Sequence, residues 1–284
     1  MKVFQKVLFT LCLFVPFLLS AQDGGPVYAD ETFRGTRVIN GHSIECLNEG
    51  ELDFLISHRF GRVNGGLYEF FGLDQASIRL GFEYGIKRWL NVGIGRSSYG
   101  KHVDSFVKIA FLRQSDRAYA PISITGFSSI AVNTLKPADP TLPVPFQTRL
   151  AYTNQLLFAR KFGDRLSMQL APTLVHYNLV DFNDQSNDKF FLGGAIRFRM
   201  TKNIAILVEY YQPLIGQLAP GKFPPLAIGF DINTGGHVFQ LHFTNASSMI
   251  EKGFLGETTG DWMNGDIQFG FNVARTFKLK GRRY

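Results

Sequence analysis

The sequence predicts an all-β fold, an antiparallel transmembrane β-barrel of about 12 strands with both termini on the periplasmic side. Two observations carry this. Apolar and polar residues alternate with period two in segment after segment, the period of a strand with two different faces. The connections between those segments alternate between short and long, as in a barrel with tight turns at one rim and loops at the other. Composition points the same way. Phe occurs 28 times, Gly 29 times, and aromatic residues make up 14% of the chain. Aromatic and Gly enrichment together favour strands over helices.

Residues 1–21 have the form of a secretory leader. Lys2 and Lys6 give a positive start, Val7 to Leu19 is apolar except for Thr10 and Pro16, and Leu19-Ser20-Ala21 ends on a small residue. The apolar run is shorter than the roughly 20 residues a helical span needs, so cleavage after Ala21 is expected. Cys12 leaves with the leader and Cys46 remains as an unpaired thiol, which excludes a disulfide framework. Loss of the two leader lysines brings the formal charge from +7 to +5. Apart from the tail Lys278, Lys280, Arg282 and Arg283 no basic run stands out, so no nucleic-acid partner is expected.

Residues 22–49 form a separate N-terminal periplasmic or plug segment, with Asn40-Gly41 offering a turn within Thr36–Glu45. The barrel then occupies 50–284. Its twelve alternating segments, taken in order, start with Leu52, Phe54 and Ile56. The second is Ile78, Leu80, Phe82 and Tyr84, and the third Leu90, Val92 and Ile94. Val107, Ile109 and Phe111 follow, then a looser stretch from Ile122 to Val132. The sixth runs through Leu150, Tyr152, Leu156 and Phe158, with polar Asn154 as an exception. Next come Leu166, Met168 and Leu170, then Leu192, Ile196 and Phe198, then Ile204 to Tyr210. The last three are Leu226 to Ile232, Phe239 to Phe243, and Ile267 to Val273.

Short links are expected at 85–88, 162–165, 201–203 and 233–236, with a somewhat longer one at 114–120. Long links are expected at 59–75, 96–105, 133–148, 178–188, 212–224 and 245–264. In hydrocarbon every backbone N–H and C=O must be paired, and only a closed sheet achieves this with strands. The apolar parity then faces lipid. Tyr84, Trp89, Tyr99, Tyr119, Phe162, Tyr177, Tyr210 and Trp262 fall near strand ends, where aromatic girdles sit.

The polar parity faces the lumen. Its candidate lining residues are Arg79, Glu83, Lys108, Arg197, Glu209, Asp231, Gln240 and His242, joined by Asp53 and Arg199. Both signs of charge are present, which favours buried ion-pair networks over a pore selective for one sign. His242 is expected to hydrogen-bond a carboxylate. His237 and His242 differ in parity and cannot share a metal.

The stretch Asn233-Thr234-Gly235-Gly236-His237-Val238-Phe239-Gln240-Leu241-His242-Phe243-Thr244-Asn245, with Thr258-Thr259-Gly260-Asp261-Trp262 and Gly265 to Asn272, resembles a bacterial family of membrane-bound β-barrels of outer-membrane type. Ile56 to Gly61 and Phe71 to Gln75 fit the same pattern. The family has no assigned activity, so the resemblance implies the barrel and transfers no catalytic residue.

Catalytic motifs are missing. Gly95-Arg96-Ser97-Ser98-Tyr99-Gly100 lacks nucleophile-elbow spacing, and Gly93-Ile94-Gly95 precedes no helix. Asp181 to Asp188 is acidic but lacks the Gly and terminal Glu of a calcium loop. The expectation is therefore a non-enzymatic barrel without cofactor or metal, either a narrow channel or a ligand- or partner-binding barrel. An enzyme acting at the rim and a scaffold for periplasmic proteins are the alternatives. Its partners would be the lipid bilayer and, during biogenesis, the outer-membrane assembly machinery. No pattern identifies a small solute.

Overall fold

The computed structural model describes residues 26–116, 120–137, 139, 141, 144–180, 186–235 and 238–279. The leader with its cleavage position, Tyr119, residues 181–185, His237 and the tail Lys280, Arg282 and Arg283 lie outside the described residues.

Twelve antiparallel strands close on themselves. They are β1 (Glu51–Arg62), β2 (Ala76–Lys87), β3 (Leu90–Ser97), β4 (His102–Leu112), β5 (Ser123–Asn133) and β6 (Leu150–Phe162). They continue with β7 (Leu166–Tyr177), β8 (Asp188–Arg199), β9 (Ile204–Ile215), β10 (Leu226–Asn233), β11 (Val238–Thr244) and β12 (Gln268–Lys278). Each strand pairs with its sequence neighbours, and β1 pairs with β12 from Glu51↔Lys278 to Arg62↔Gln268, so no edge is left open.

Burial is inverted relative to a water-soluble protein. Phe82, Ile94 and Leu170 on the outer parity are 47%, 54% and 55% exposed, while Arg79, Lys108, Glu209 and Asp231 on the inner parity are at most 2% exposed. A largely apolar exterior around buried charges is stable only where hydrocarbon replaces water outside.

Several expected boundaries shift. β4 starts at His102, so the connection expected at 96–105 is only a tight turn over 98–101. Val103 and Ser105 still alternate with buried His102 and Asp104, but the small and polar residues there hide the period. β1 runs on to Arg62 and β9 to Ile215, which shortens two further long links. Tyr177 is not a girdle residue. It shares parity with Thr173 and Val175, points inward, and donates its hydroxyl to the Lys252 carbonyl at 2.6 Å.

Two segments fill the interior. The chain before β1 crosses the rim that carries the tight turns, where Lys161 reaches the Asp30 carbonyl and Arg34 the Lys202 carbonyl. It then folds into a hairpin, with Arg37 bridged to His42 and the Ser43 amide donating to the Thr36 carbonyl at 3.0 Å. From the opposite rim the β11–β12 connection turns inward. It carries a short helix, α1 (Glu251–Gly256), with Met249, Ile250, Phe254 and Leu255 buried. The sequence predicts only a long link there.

The interior has two characters. Leu157, Val175, Phe191, Leu207 and Tyr211 on β6 to β9 pack with Phe33, Val38, Ile39, Phe254 and Leu255 in one apolar cluster. The remaining wall is polar and charged.

Candidate functional site

The candidate site is the polar lumen wall and the N-terminal hairpin seated on it. Period two dictates which side chains enter: along β9, Ala205, Leu207, Glu209 and Tyr211 point in while Ile206, Val208 and Tyr210 point out.

Glu209 is 2% exposed and meets the hairpin tip. Its carboxylate accepts from the amides of Ile39, Asn40 and Gly41 at 3.1–3.2 Å. Three successive backbone N–H groups make a concave nest for an anion. Gly41 is required by close approach, because a Cβ there would collide with the Tyr211 ring and hydroxyl.

The other strands hold the hairpin by its carbonyls. Lys108 Nζ donates to Thr36 O at 3.0 Å and Glu45 O at 2.6 Å. Gln240 donates to Val38 O at 2.7 Å, Asn272 to Ile39 O at 2.9 Å, Gln169 to His42 O at 2.8 Å, and Thr125 to Ile44 O at 3.1 Å. Arg59 donates to the Asn40 side chain at 2.7 Å. Polar atoms buried without partners cost about 1–3 kcal/mol each, so these side chains and the hairpin satisfy one another.

Charge pairs complete the wall. Arg79 forms a two-point contact with Asp104, and Gly81 and Gly95 leave space for its guanidinium. Lys108 lies 3.9 Å from Glu83, whose carboxylate also accepts from Asn91 at 2.9 Å. Arg197 lies 3.6 Å from Asp231, which accepts from Gln240 at 2.8 Å. The eight residues singled out in the sequence, Arg79, Glu83, Lys108, Arg197, Glu209, Asp231, Gln240 and His242, are all buried. Glu209, Lys108 and Gln240 touch the hairpin directly.

His242 departs from expectation. Its Nε2 faces the Arg59 guanidinium instead of a carboxylate. A guanidinium can only donate, so the imidazole accepts there as the neutral form. The Glu209 carboxylate is taken by the hairpin amides.

Buried lumen residues beyond those eight include Arg59, Asp104, Asn272 and Gln169. Arg59 shares one parity with Asp53 and Ser57, but it falls in the stretch 59–75 that the sequence predicts as a link. Arg37, His42 and Glu251 lie outside the strands. Arg37 meets Glu251 at 3.1 Å and His42 lies 3.5 Å from the same carboxylate. His42 packs against the rings of Phe106 and Phe127, and burial, reinforced by the Arg37, Lys108 and Arg79 charges, holds its pKa well below the usual imidazole value.

At the rim with the tight turns, a cavity of about 510 Å³ remains beside the hairpin stem. Asp53, Glu45, Arg34, Arg113 and Cys46 are among its walls.

Residues 33–277 match the family model described as a membrane-bound beta-barrel domain (DUF5777). No curated protein matches the chain. Solved structures of similar fold include the KdgM porin, with 11% identity, TM-score 0.46, and coverage of 81% of this chain and 99% of that one. The NanC porin gives 8%, 0.49, 80% and 100% in the same order. An outer-membrane channel from Pseudomonas putida F1 gives 12%, 0.47, 82% and 98%.

Proposed function

Since the chain belongs to the membrane-bound beta-barrel domain family, we propose that it acts in the outer membrane as a non-enzymatic barrel, a narrow channel held shut by its own N-terminal segment. In this reading the leader is removed after Ala21, residues 22–49 are the plug, and 50–284 are the barrel. The termini and tight turns face the periplasm and the longer connections face outward. The outer-membrane assembly machinery inserts the folded strands into the bilayer.

One observation carries the proposal. The lumen wall spends its charged and amide side chains on the hairpin backbone, with Glu209 on three amides and Lys108 on two carbonyls. A wall of that chemistry is wettable once the hairpin leaves, and the contacts that hold the hairpin are the ones a solute or water would take over. Arg79, Glu83, Arg197, Asp231, Gln240 and His242 would then line the path with charges of both signs.

Planar-bilayer recording of the purified chain tests this. The wild type should be closed most of the time with brief openings. Glu209→Gln weakens the anion nest and should raise the open fraction about ten- to hundredfold, in line with loss of a charge-assisted contact worth about 1.5–3 kcal/mol. Steady conductance of the wild type would remove the hairpin as a gate. Silence of both proteins at every voltage would favour the second reading, a ligand-binding barrel, for which the 510 Å³ cavity at the tight-turn rim is the specific support.

A further inference from the structure

The apolar outer wall carries a pair of neighbouring polar side chains on adjacent strands. Register places Val107, Ser128, Asn154, Leu174 and Phe190 in a single row across β4 to β8. Ser128 and Asn154 are exposed on the lipid-facing parity, and the Ser128 hydroxyl donates to Asn154 Oδ1 at 2.8 Å. The Asn154 amide N–H groups have no partner among the described residues. In hydrocarbon an unsatisfied amide donor is costly.

The wall is also hollow there. A groove of about 440 Å³ runs over Gly126, Ser128, Asn154 and Pro172, flanked by Phe111, Leu156 and Phe190. Gly126 contributes no side chain. The β6–β7 ladder is interrupted where Leu156 stands opposite Pro172, whose nitrogen has no proton to donate. Small and proline positions in a strand mark close approach of another group or a local break in pairing.

We propose that this groove is a lipid site that holds one ester-linked acyl chain of a bilayer lipid, with the ester carbonyl accepting from Asn154. A concave, apolar slot takes a convex, apolar occupant, which a chain is and a second copy of the same hollow face is not. The unpartnered donor calls for an oxygen acceptor on that occupant. Depth agrees, because Leu174 lies near the end of β7 and Phe190 near the start of β8. The row therefore climbs toward the rim with the long connections, and ester carbonyls lie at that boundary of the hydrocarbon. The inference rests on the chain being membrane-embedded and is independent of whether the lumen conducts.

Native mass spectrometry of the full-length protein in detergent tests it, with dioleoyl phosphatidylcholine as the ester probe and its dialkyl ether counterpart as control. The wild type should retain the ester lipid about five- to tenfold better, the worth of one buried neutral hydrogen bond. Asn154→Leu keeps an apolar wall and should abolish that preference while still binding both. Gly126→Leu displaces the Phe111 ring that lies over Gly126, crowds the groove, and should lower retention of both. Folding of each variant is checked by the shift in gel mobility on heating. Equal retention of the two lipids by the wild type would overturn the proposal. So would dimers in the wild-type spectrum that Gly126→Leu removes, since a second copy would then be the occupant.

Discussion

Arg37 and Glu251 meet at 3.1 Å inside the barrel, 214 residues apart in sequence and both nearly inaccessible. One belongs to the hairpin that enters from the tight-turn rim and the other to α1, which enters from the opposite rim. The pair ties the two inward segments together, with His42 against the same carboxylate. Removing one partner of a buried pair strands a charge and costs about 3–5 kcal/mol, whereas removing both costs far less. Glu251→Leu should therefore loosen the hairpin strongly, read as faster protease access to 32–47 in lipid vesicles. Adding Arg37→Met should restore much of the protection, and a double variant no better than the single would show that the two charges are not coupled.

The hairpin should also respond to acid. Burial holds the His42 pKa well below its unfolded value of about 6.5, so the seated hairpin binds fewer protons than the released one. Seating is fully favoured above that pH and weakens as the pH falls below it. Glu45 works in the opposite sense, because burial raises its pKa and acidification helps keep it seated. His42→Gln separates the two. Open fraction between pH 7 and pH 5 should rise in the wild type, whereas in His42→Gln, where Glu45 alone responds, it should stay level or fall. A wild type insensitive to pH over that range would contradict the role given to His42.

Strand parity is testable on β11. Leu241 is outward and partly exposed, while Gln240 and His242 on either side of it are buried. Leu241→Arg should destabilise the barrel by about 2–4 kcal/mol if the site lies near the bilayer midplane. His242→Gln keeps an acceptor for Arg59 and should cost much less. Refolding titrations into lipid vesicles measure both, and equal tolerance of Leu241→Arg and Leu241→Phe would show that this face does not meet hydrocarbon.

Sidedness follows from the unequal rims. In a Cys46→Ser background, cysteines at Ser186 or Gly221 should be labelled on intact cells by a membrane-impermeant reagent. A cysteine at Asn203, in the tight β8–β9 turn, should not. The reverse pattern would show that the barrel is inserted the other way up.

The barrel was legible in the sequence because lipid outside and polar groups inside force a strict period of two, visible in runs such as Ile78 to Tyr84. The lumen wall was legible for the same reason, through Arg79, Glu83 and Gln240. Legibility failed where the outward residue is small or polar. Ser105 outside, next to Asp104 inside, hides the start of β4, and Arg59 continues the inward parity of Asp53 and Ser57 into a stretch that reads as a link. The inward turn at α1 was hidden because Met249-Ile250 and Phe254-Leu255 are too few to show a helical period. The hairpin tip was marked by Asn40-Gly41, yet its anchor was not, since Glu209 reads as one more inward charge until three amides are found on it. The interior apolar cluster on β6 to β9 likewise depends on Phe33 and Phe254, which arrive from outside the strands.

The account rests most heavily on the hairpin being seated in the lumen of the folded protein. Hydrogen–deuterium exchange of the full-length chain in lipid vesicles measures this at the residues concerned. The amides of Ile39, Asn40 and Gly41, bonded to the Glu209 carboxylate, should exchange as slowly as those of β9, and Glu209→Gln should speed them up while leaving β9 protected. Fast exchange at these three amides in the wild type, alongside protected strands, would contradict the account.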